Sequence, residues 1–344
     1  MKCCCKKNRA YWITGEVETP AGKIPRSGTR LILRDKIGAL KVRFAISRMS
    51  YAVPSGLYAV GEPTPESPVF VTANYKLSLD HLRCALSGID SWILVLNTKG
   101  INVWCAAGKG TFSTTEIINQ VEETELCRVV THQKLIVPQL GAPGVSAIEV
   151  QKQCGFKVIY GPVRAEDIPA FVAANFKTTP EMRRVRFGIR DRIAVIPVEL
   201  VIWFKHALGL AALLSLVGGI TRSGFSLADA PRAFGLVFIG WLAGGVLVPI
   251  LLPWLPGRSF SIKGLWAALI LWSIGYRLLD VSPTEGTGWF FVLTAIVSFM
   301  ALNFTGTSTY TSMSGVKKEM KIAIPLQLLA LIAGIILIVV GGLQ

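Results

Sequence analysis

Hydrophobic positions follow three rhythms along the chain. Up to residue 68, Arg30-Leu31-Ile32-Leu33-Arg34 and Lys41-Val42-Arg43-Phe44-Ala45-Ile46 alternate or run apolar in the manner of strands, which predicts a small β-rich element behind an N-terminal arm. Gly61 to Pro68, with Pro63, Pro65 and Pro68, breaks this pattern as a linker. From Val69 to residue 182, short apolar runs alternate with amphipathic stretches. Val69–Thr72, Trp92–Leu96, Arg128–Thr131, Lys134–Val137 and Lys157–Tyr160 read as strands, and Ser78–Leu86, Ala147–Cys154 and Ala165–Ala174 as helices. Ser113-Thr114-Thr115-Glu116 opens a further helix as a capping box. Such alternation implies an α/β domain with a doubly wound parallel sheet, which binds ligands outside the carboxyl ends of its strands. Those ends carry Thr72, Asn74 and Tyr75, then Asn97 and Thr98, then Gln139 and Gly141, and finally Gly161. Glycines and hydrogen-bonding side chains there suit a large ligand with polar edges.

The third rhythm is continuous. Five apolar runs, at about 194–220, 234–252, 262–279, 288–304 and 323–343, approach or exceed the ~20 residues that span a bilayer and predict a transmembrane bundle of five helices over 193–344. Gly240 and Gly244 have the spacing that allows close helix packing. Glu199, Lys205 and His206 lie in or beside the first run, as part of an ion path or as interfacial residues. The polar stretch Thr305 to Tyr310 reads as a flexible loop or a docking surface.

Charge gives the bundle a direction. Residues 1–192 hold 27 of the 36 Lys/Arg and 16 of the 21 Asp/Glu, a net of +11, and end in a basic collar at 183–192 with Arg183, Arg184, Arg186, Arg190 and Arg192. Lys317, Lys318 and Lys321 precede the last run and nothing basic follows it. The positive-inside rule then predicts a multi-pass protein of the cytoplasmic (inner) membrane, with the N-terminal domain in the cytoplasm and the C-terminus outside. No helix-turn-helix, RRM or zinc-finger pattern supports nucleic acid as a partner. Seven cysteines include no C-x-x-C, and Cys84, Cys105, Cys127 and Cys154 are 21, 22 and 27 residues apart. That spacing fits neither a disulfide framework nor an iron-sulfur cluster of the chain's own. Cys3-Cys4-Cys5 reads as a tail of reactive thiols or a landing site for a soft metal ion.

The densest candidate chemistry is Asn102-Val103-Trp104-Cys105-Ala106-Ala107-Gly108-Lys109-Gly110-Thr111, directly after the Trp92–Leu96 strand. Small side chains on both sides of a thiol suggest that something large and flat lies against the segment. A Walker A loop would need Gly at 103 and Ser or Thr at 110, where Val103 and Gly110 stand. A dinucleotide fingerprint lacks its third glycine, and neither His81 nor His132 is placed as a base by any local motif. From these residues alone a packed structural cysteine and a functional one both remain open.

The stretch Asn102 to Lys109 resembles the cap-helix signature of the mercury-methylating corrinoid protein (HgcA) family. So do Val69 to Ser78, Trp92 to Gly100 and the five apolar runs, so the resemblance covers nearly the whole chain. The part before the membrane is similar, more distantly, to the corrinoid domain of the corrinoid iron-sulfur protein of acetyl-CoA synthesis. The resemblance implies a Rossmann-like corrinoid-binding domain at 69–182 and a cobalamin-type cofactor at the strand ends. It also implies that Cys105 faces cobalt as lower axial ligand and that the chain is a methyltransferase delivering methyl to Hg(II). Thr72, Asn74, Tyr75, Asn97, Thr98, Asn102, Val103, Trp104, Ala106, Ala107, Gly108, Lys109, Gly110, Thr111, Gln139, Gly141 and Gly161 would surround the cofactor. The chain lacks D-x-H-x-x-G, which supplies a histidine ligand in other corrinoid proteins. Methylating an electrophile such as Hg(II) requires methyl to leave with the bonding electrons, which an electron-rich thiolate opposite it favours. Reduction is expected from a small ferredoxin with two 4Fe-4S clusters, and methyl from a methylfolate-type system. Two other functions fit the same residues: a corrinoid methyl carrier of one-carbon (acetyl-CoA-type) metabolism, and a non-catalytic cobalamin or metal transport protein.

Overall fold

The computed structural model describes residues 10–227, 229–278, 281–306, 308 and 313–344. Cys3, Cys4 and Cys5 lie outside the described residues, as do Thr307, Thr309 and Tyr310 of the polar loop. The described residues form two compact units, 10–42 with 46–185 and 43–45 with 186–344.

The first unit opens with β1 (Ile13–Thr19), β2 (Gly22–Ser27), α1 (Leu33–Arg43) and β3 (Gly56–Val60). It continues through β4 (Val69–Ala73), α2 (Lys76–Ala85), β5 (Ser91–Leu96), α3 (Val103–Lys109), α4 (Thr114–Glu123), α5 (Leu126–Val129) and β6 (Lys134–Val137). It closes with α6 (Ala147–Cys154), β7 (Lys157–Tyr160), α7 (Ile168–Ala173) and α8 (Pro180–Arg183). All seven strands form one sheet in the order β1-β2-β3-β5-β4-β6-β7. β5, β4, β6 and β7 run parallel, while β3 is antiparallel to β5. β4 and β5 are buried at every position, as their unbroken apolar runs require, because helices cover both faces. On one face Val71 and Leu94 pack with Ile117 and Val121 of α4 and Val150 of α6. On the other, Phe70, Ile93 and Val95 pack with Leu79 and Leu82 of α2 and Phe171 of α7. From β4 the chain crosses to β5 on one side, and from β5 it returns past β4 to β6 on the other. The order therefore reverses between β4 and β6, and the crevice outside their carboxyl ends is where such sheets bind ligands.

Three predicted elements differ. Arg30–Arg34 and Lys41–Ile46 are not strands: residues 33–43 form α1, held by a buried carboxylate together with one buried apolar residue, Val42. Asp35 lies only 2% exposed. Its Oδ1 accepts from Lys76 Nζ (2.8 Å) and Tyr11 Oη (2.8 Å), and its Oδ2 accepts from Ile32 N–H (3.0 Å) and pairs with Arg83 Nη2 (2.9 Å). Arg128–Thr131 is not a strand either. Residues 126–129 make one helical turn, because Leu126 and Val129, three apart, both reach the same core. The proline-rich segment 61–68 joins β3 to β4 within one sheet and is fastened there by Trp92 Nε1 donating to Thr64 O (3.0 Å).

The second unit is helical. α9 (Ile189–Gly218) is followed by α10 (Asp229–Leu242), which passes through a π-helical stretch, Ala243–Leu247, into α11 (Val248–Leu251). α12 (Phe260–Gly275), α13 (Pro283–Asn303) and α14 (Met313–Leu343) complete it. Among the described residues, four helical segments are long and apolar enough to cross a membrane: Ile189–Gly218, Asp229–Leu251, Pro283–Gly306 and Ser314–Leu343. The third predicted run, 262–279, forms α12, whose 16 residues reach about 24 Å, short of a ~30 Å hydrocarbon core. α9 begins before the predicted run, so Arg190 and Arg192 of the basic collar are helical, and Lys205 and His206 lie exposed near its middle. Arg192 is buried and donates to the carbonyls of Pro249 (3.2 Å) and Ile250 (2.6 Å). Glu199 is buried as well.

Glycines let α13 take the centre of this unit. A Cβ on Gly244 would stand 2.4 Å from Met300 Cβ, and one on Gly264 2.6 Å from Ser298 Cα. Gly288 and Gly334 face each other across α13 and α14, each with the other's carbonyl 2.7 Å from where a Cβ would be. Without a hydrophobic force between helices in lipid, such close backbone approach supplies the packing. Gly288→Leu is expected to destabilise this unit by about 1–3 kcal/mol through overpacking. Hydrogen exchange of α13 and α14 amides in the detergent-purified protein measures it. Unchanged protection would show that the two helices do not meet there.

Candidate functional site

The site is built on the loops that leave β4 and β5. Asn74, just past β4, is buried, and its Oδ1 accepts from Thr98 N–H (3.1 Å) and Gly100 N–H (2.9 Å). The Thr98 hydroxyl, with one proton to donate, sits between Asn74 Oδ1 (2.9 Å) and Ile101 O (2.7 Å). Lys99 and Gly100 both take positive φ (57° and 71°), so the chain after β5 turns sharply and is latched from β4. Gly100 suits this turn through its positive φ, while Ala52 and Met49 lie at ordinary contact distance, 3.4 Å from where a Cβ would be.

The latched loop delivers α3. Asn102 caps it by accepting from Cys105 N–H (2.9 Å), and Gly110 ends it at φ 76°. Seven residues are too few for a stable isolated helix, so tertiary packing holds this one. Val103, Ala106 and Ala107 are buried, and the 3₁₀ stretch Gln139–Gly144 after β6 packs against them. A Cβ on Gly144 would fall 2.1 Å from Phe112 O and 3.2 Å from Ala107 Cα, and one on Gly141 2.4 Å from the Phe112 ring. Those glycines and alanines exist for this contact.

The opposite face of α3 is open. Trp104, Cys105, Gly108 and Lys109 are exposed, and no heavy atom lies within 4 Å of where a Cβ on Gly108 or Gly110 would stand. Cys105, Gly108 and Lys109 share one helix face at spacings of three and four. The thiol therefore stands beside a bare backbone patch on a helix fixed from behind.

The predicted site residues thus separate into two groups. Cys105, Trp104, Gly108, Lys109 and Gly110 come together on the open face, with Asn97 and Lys99 exposed on the loop before it. Asn74, Thr98 and Asn102 spend the atoms described above on shaping the loop and helix. Thr72 is buried within β4, and Gly161 is buried with its N–H on Val137 O (2.8 Å). Tyr75 is buried as well, while Gln139 and Thr111 are half-buried.

Two contributors escaped sequence reasoning. Glu116 belongs to only half a capping box. Ser113 accepts from Glu116 N–H (3.3 Å), but the carboxylate accepts from Asn97 N–H (2.8 Å) and so ties α4 to the end of β5. Burial pushes the Glu116 carboxyl above its usual range, against the lowering effect of that N–H. The segment Met49–Val53 also reaches this edge: Ala52 bridges Tyr75, and Val53 N–H donates to Asn74 O (2.8 Å). Nothing in its composition announced that.

Among the described residues, no three His, Cys, Asp or Glu side chains stand together to hold a metal ion. A lone exposed thiol suits a metal already held in a macrocycle, and the open space over Gly108 suits a flat one, so these residues fit a corrinoid. A cavity of about 150 Å³ lined by Glu66, Val69, His132 and Lys134 lies at the amino ends of β4 and β6, the wrong edge for this chemistry.

Residues 36–172 match the family described as CO dehydrogenase/acetyl-CoA synthase delta subunit (CdhD). The chain is 34% identical over 131 residues to the acetyl-CoA decarbonylase/synthase complex subunit gamma of Archaeoglobus fulgidus, covering 38% of this chain and 27% of that one. Subunit gamma 2 of the same complex from Methanosarcina mazei is 34% identical over 133 residues, covering 38% and 28%. The corrinoid/iron-sulfur protein large subunit of Moorella thermoacetica is 30% identical over 125 residues, covering 36% and 28%. The chain spans a little over a quarter of the length of these curated relatives.

Proposed function

We propose that the α/β unit holds a corrinoid against the open face of α3 and that the chain is a membrane-bound methyl carrier acting through it. The observation that carries this reading is the exposed Cys105 beside bare Gly108, at the ligand-binding edge of a parallel sheet, in a chain similar to a corrinoid/iron-sulfur protein. When bound, a corrinoid supplies a cobalt centre able to take up a methyl group and to give it up to an acceptor. Cys105 would offer that cobalt a sulfur donor, and Asn102 with the buried alanines fixes where the thiol stands. Trp104 and Lys109 flank it.

The acceptor we propose is Hg(II), which would make the chain a corrinoid-dependent methyltransferase forming methylmercury. Its support is the resemblance of Asn102 to Lys109 to the cap helix of the mercury-methylating family, together with the apolar helices. The second reading, a methyl carrier of acetyl-CoA-type metabolism, is favoured by the relatives' names, and by that measure it is the better supported of the two. The same proposal takes electrons from a small ferredoxin with two 4Fe-4S clusters and methyl from a methylfolate-type system. It keeps the α/β unit in the cytoplasm, and the +11 charge of residues 1–192 suits an acidic electron carrier.

Corrinoid binding tests the shared core of both readings. The purified full chain, mixed with cobalamin and freed of excess, is expected to retain about one corrinoid by its visible spectrum. Gly108→Phe fills open space without touching the core and is expected to weaken binding about tenfold. Retention equal to that of the unaltered chain would move the cofactor off this face.

A further inference from the structure

α1 is turned inside out for a helix on a soluble domain. Its charged Asp35 points inward to Lys76 and Arg83, and Val42 is buried on the same side. Leu33, Ile37 and Leu40, with Phe44 just beyond its end, fall within about 60° of arc at ~100° per residue. All four are exposed, Leu33 at 71% and Leu40 at 55%. Ile32 precedes the stripe and Ile46 and Met49 extend it, Met49 at 75% exposure. Scattered exposed apolar residues are ordinary, but a contiguous stripe marks an interaction surface.

The flanks identify the occupant. At the same ~100° per residue, Lys36 and Arg43 border the stripe on one side and Arg34 and Lys41 on the other, each about 60–100° from its centre. Arg30 and Arg48 stand just outside the helix at either end. α1 as a whole is weakly amphipathic, because Val42 is apolar on its inner face. Its exposed half, however, is an apolar stripe edged on both sides by Lys and Arg, which suits a membrane interface with the stripe in the acyl boundary and the cations among anionic headgroups. A lipid surface is available, because the same chain continues into helices long and apolar enough to cross one.

We propose that α1, with residues 44–49, docks on an anionic membrane surface as an in-plane helix. The Asp35 cluster fixes α1 so that the apolar stripe faces outward. The docked segment runs on to Ala52 and Val53, which touch Tyr75 and Asn74. Docking therefore sets the carboxyl edge of the sheet beside the headgroup layer, whatever ligand that edge carries.

The test uses the full chain reconstituted in phosphatidylcholine vesicles that contain a phosphatidylcholine with a photoactivatable acyl chain, with and without about 30% phosphatidylglycerol. Labelled peptides are mapped by mass spectrometry, and those from the apolar helices serve as the internal positive control. Peptides covering Leu33–Met49 are expected to be labelled in the anionic vesicles. Labelling is expected to fall about fivefold or more when phosphatidylglycerol is left out or in Lys36→Glu/Lys41→Glu, and again in Leu33→Glu/Leu40→Glu. All four substituted side chains lie on the surface, and hydrogen exchange of β4 and β5 checks that the fold persists. Labelled apolar helices with unlabelled Leu33–Met49 peptides would overturn the proposal. So would labelling indifferent to both lipid charge and these variants, or crosslinking of the stripe to a second protein chain in its place.

Discussion

Cys105→Ala is expected to leave the fold and the bound corrinoid in place and to lower methyl transfer to Hg(II) by about 100-fold or more. The thiol is exposed and supports no core contact, and alanine is the best helix former, so α3 has no reason to unravel. What the substitution removes is the sulfur donor on the open face. A 100-fold loss corresponds to about 2.7 kcal/mol of transition-state stabilisation, the scale of one strong, well-placed electrostatic contact. Methylmercury assayed by mass spectrometry gives the rate, and the visible spectrum of the bound corrinoid reports whether its lower side has lost a ligand. Cys105→Ser keeps shape and polarity but offers a weaker donor, and should fall between the two. A normal rate in Cys105→Ala with corrinoid bound would end the role assigned to this sulfur.

The largest effect on stability is expected at Arg83, in the buried charge cluster that holds α1. Arg83, Asp35, Lys76 and Asp80 are all under 5% exposed and form a balanced cluster of two cations and two carboxylates. Arg83 Nε donates to Asp80 Oδ1 (2.7 Å) and Arg83 Nη1 to the carbonyl of Gly28, while Lys76 bonds both carboxylates. Removing one member leaves a buried charge unpaired, at about 3–5 kcal/mol. Arg83→Ala should therefore accelerate hydrogen exchange in α1, α2 and β4 by about 100-fold or more. Asp35→Leu with Arg83→Ala should cost less than the sum of the two single changes, because the pair leaves together.

The same cluster sets a pH dependence. Burial raises the Asp35 carboxyl, but Lys76, the Ile32 N–H and the Tyr11 hydroxyl outweigh it and hold the group from its ordinary 3.8 down to about 2. A depressed carboxylate stabilises the fold fully above the unfolded value, and that contribution, about 2 kcal/mol, is lost as pH falls from ~4 to ~2. Exchange protection of α1 that stays flat over that window would contradict the assignment.

The parallel heart of the sheet was legible because its strands are buried on both faces. Ser91–Leu96 and Lys134–Val137 are short, apolar and bounded by loop residues, and such a run has few other uses. The region before residue 69 was misread for a physical reason. The apolar run Leu31-Ile32-Leu33 looks like a strand when burial is assumed, yet Ile32 and Leu33 are exposed. α1 is pinned instead through Asp35, by residues 41 and 48 positions onward. The edge hairpin β1–β2, with Glu16, Glu18 and Lys23, carries too much charge to stand out as sheet.

At the site, the importance of Asn102–Gly110 was legible from Cys105 and its small neighbours, but the division of labour was not. Ala107 is small for Gly144, whereas Gly108 is small toward open space. Sequence separates those two reasons only once the partner surface is known. Asn74 likewise reads as a ligand-edge side chain, and its oxygen is spent on Thr98 and Gly100, 24 and 26 residues onward.

The most direct measurement starts from the purified full chain loaded with corrinoid, methylated by a methylfolate-type donor under a low-potential reductant. It is divided between Hg(II) and the acetyl-CoA synthase system as competing acceptors. The account predicts methylmercury in amounts matching the methyl lost from the protein, with Cys105→Ala slowed about 100-fold. Corrinoid-loaded protein that delivers methyl only to the acetyl-CoA system, with no methylmercury formed, would contradict it.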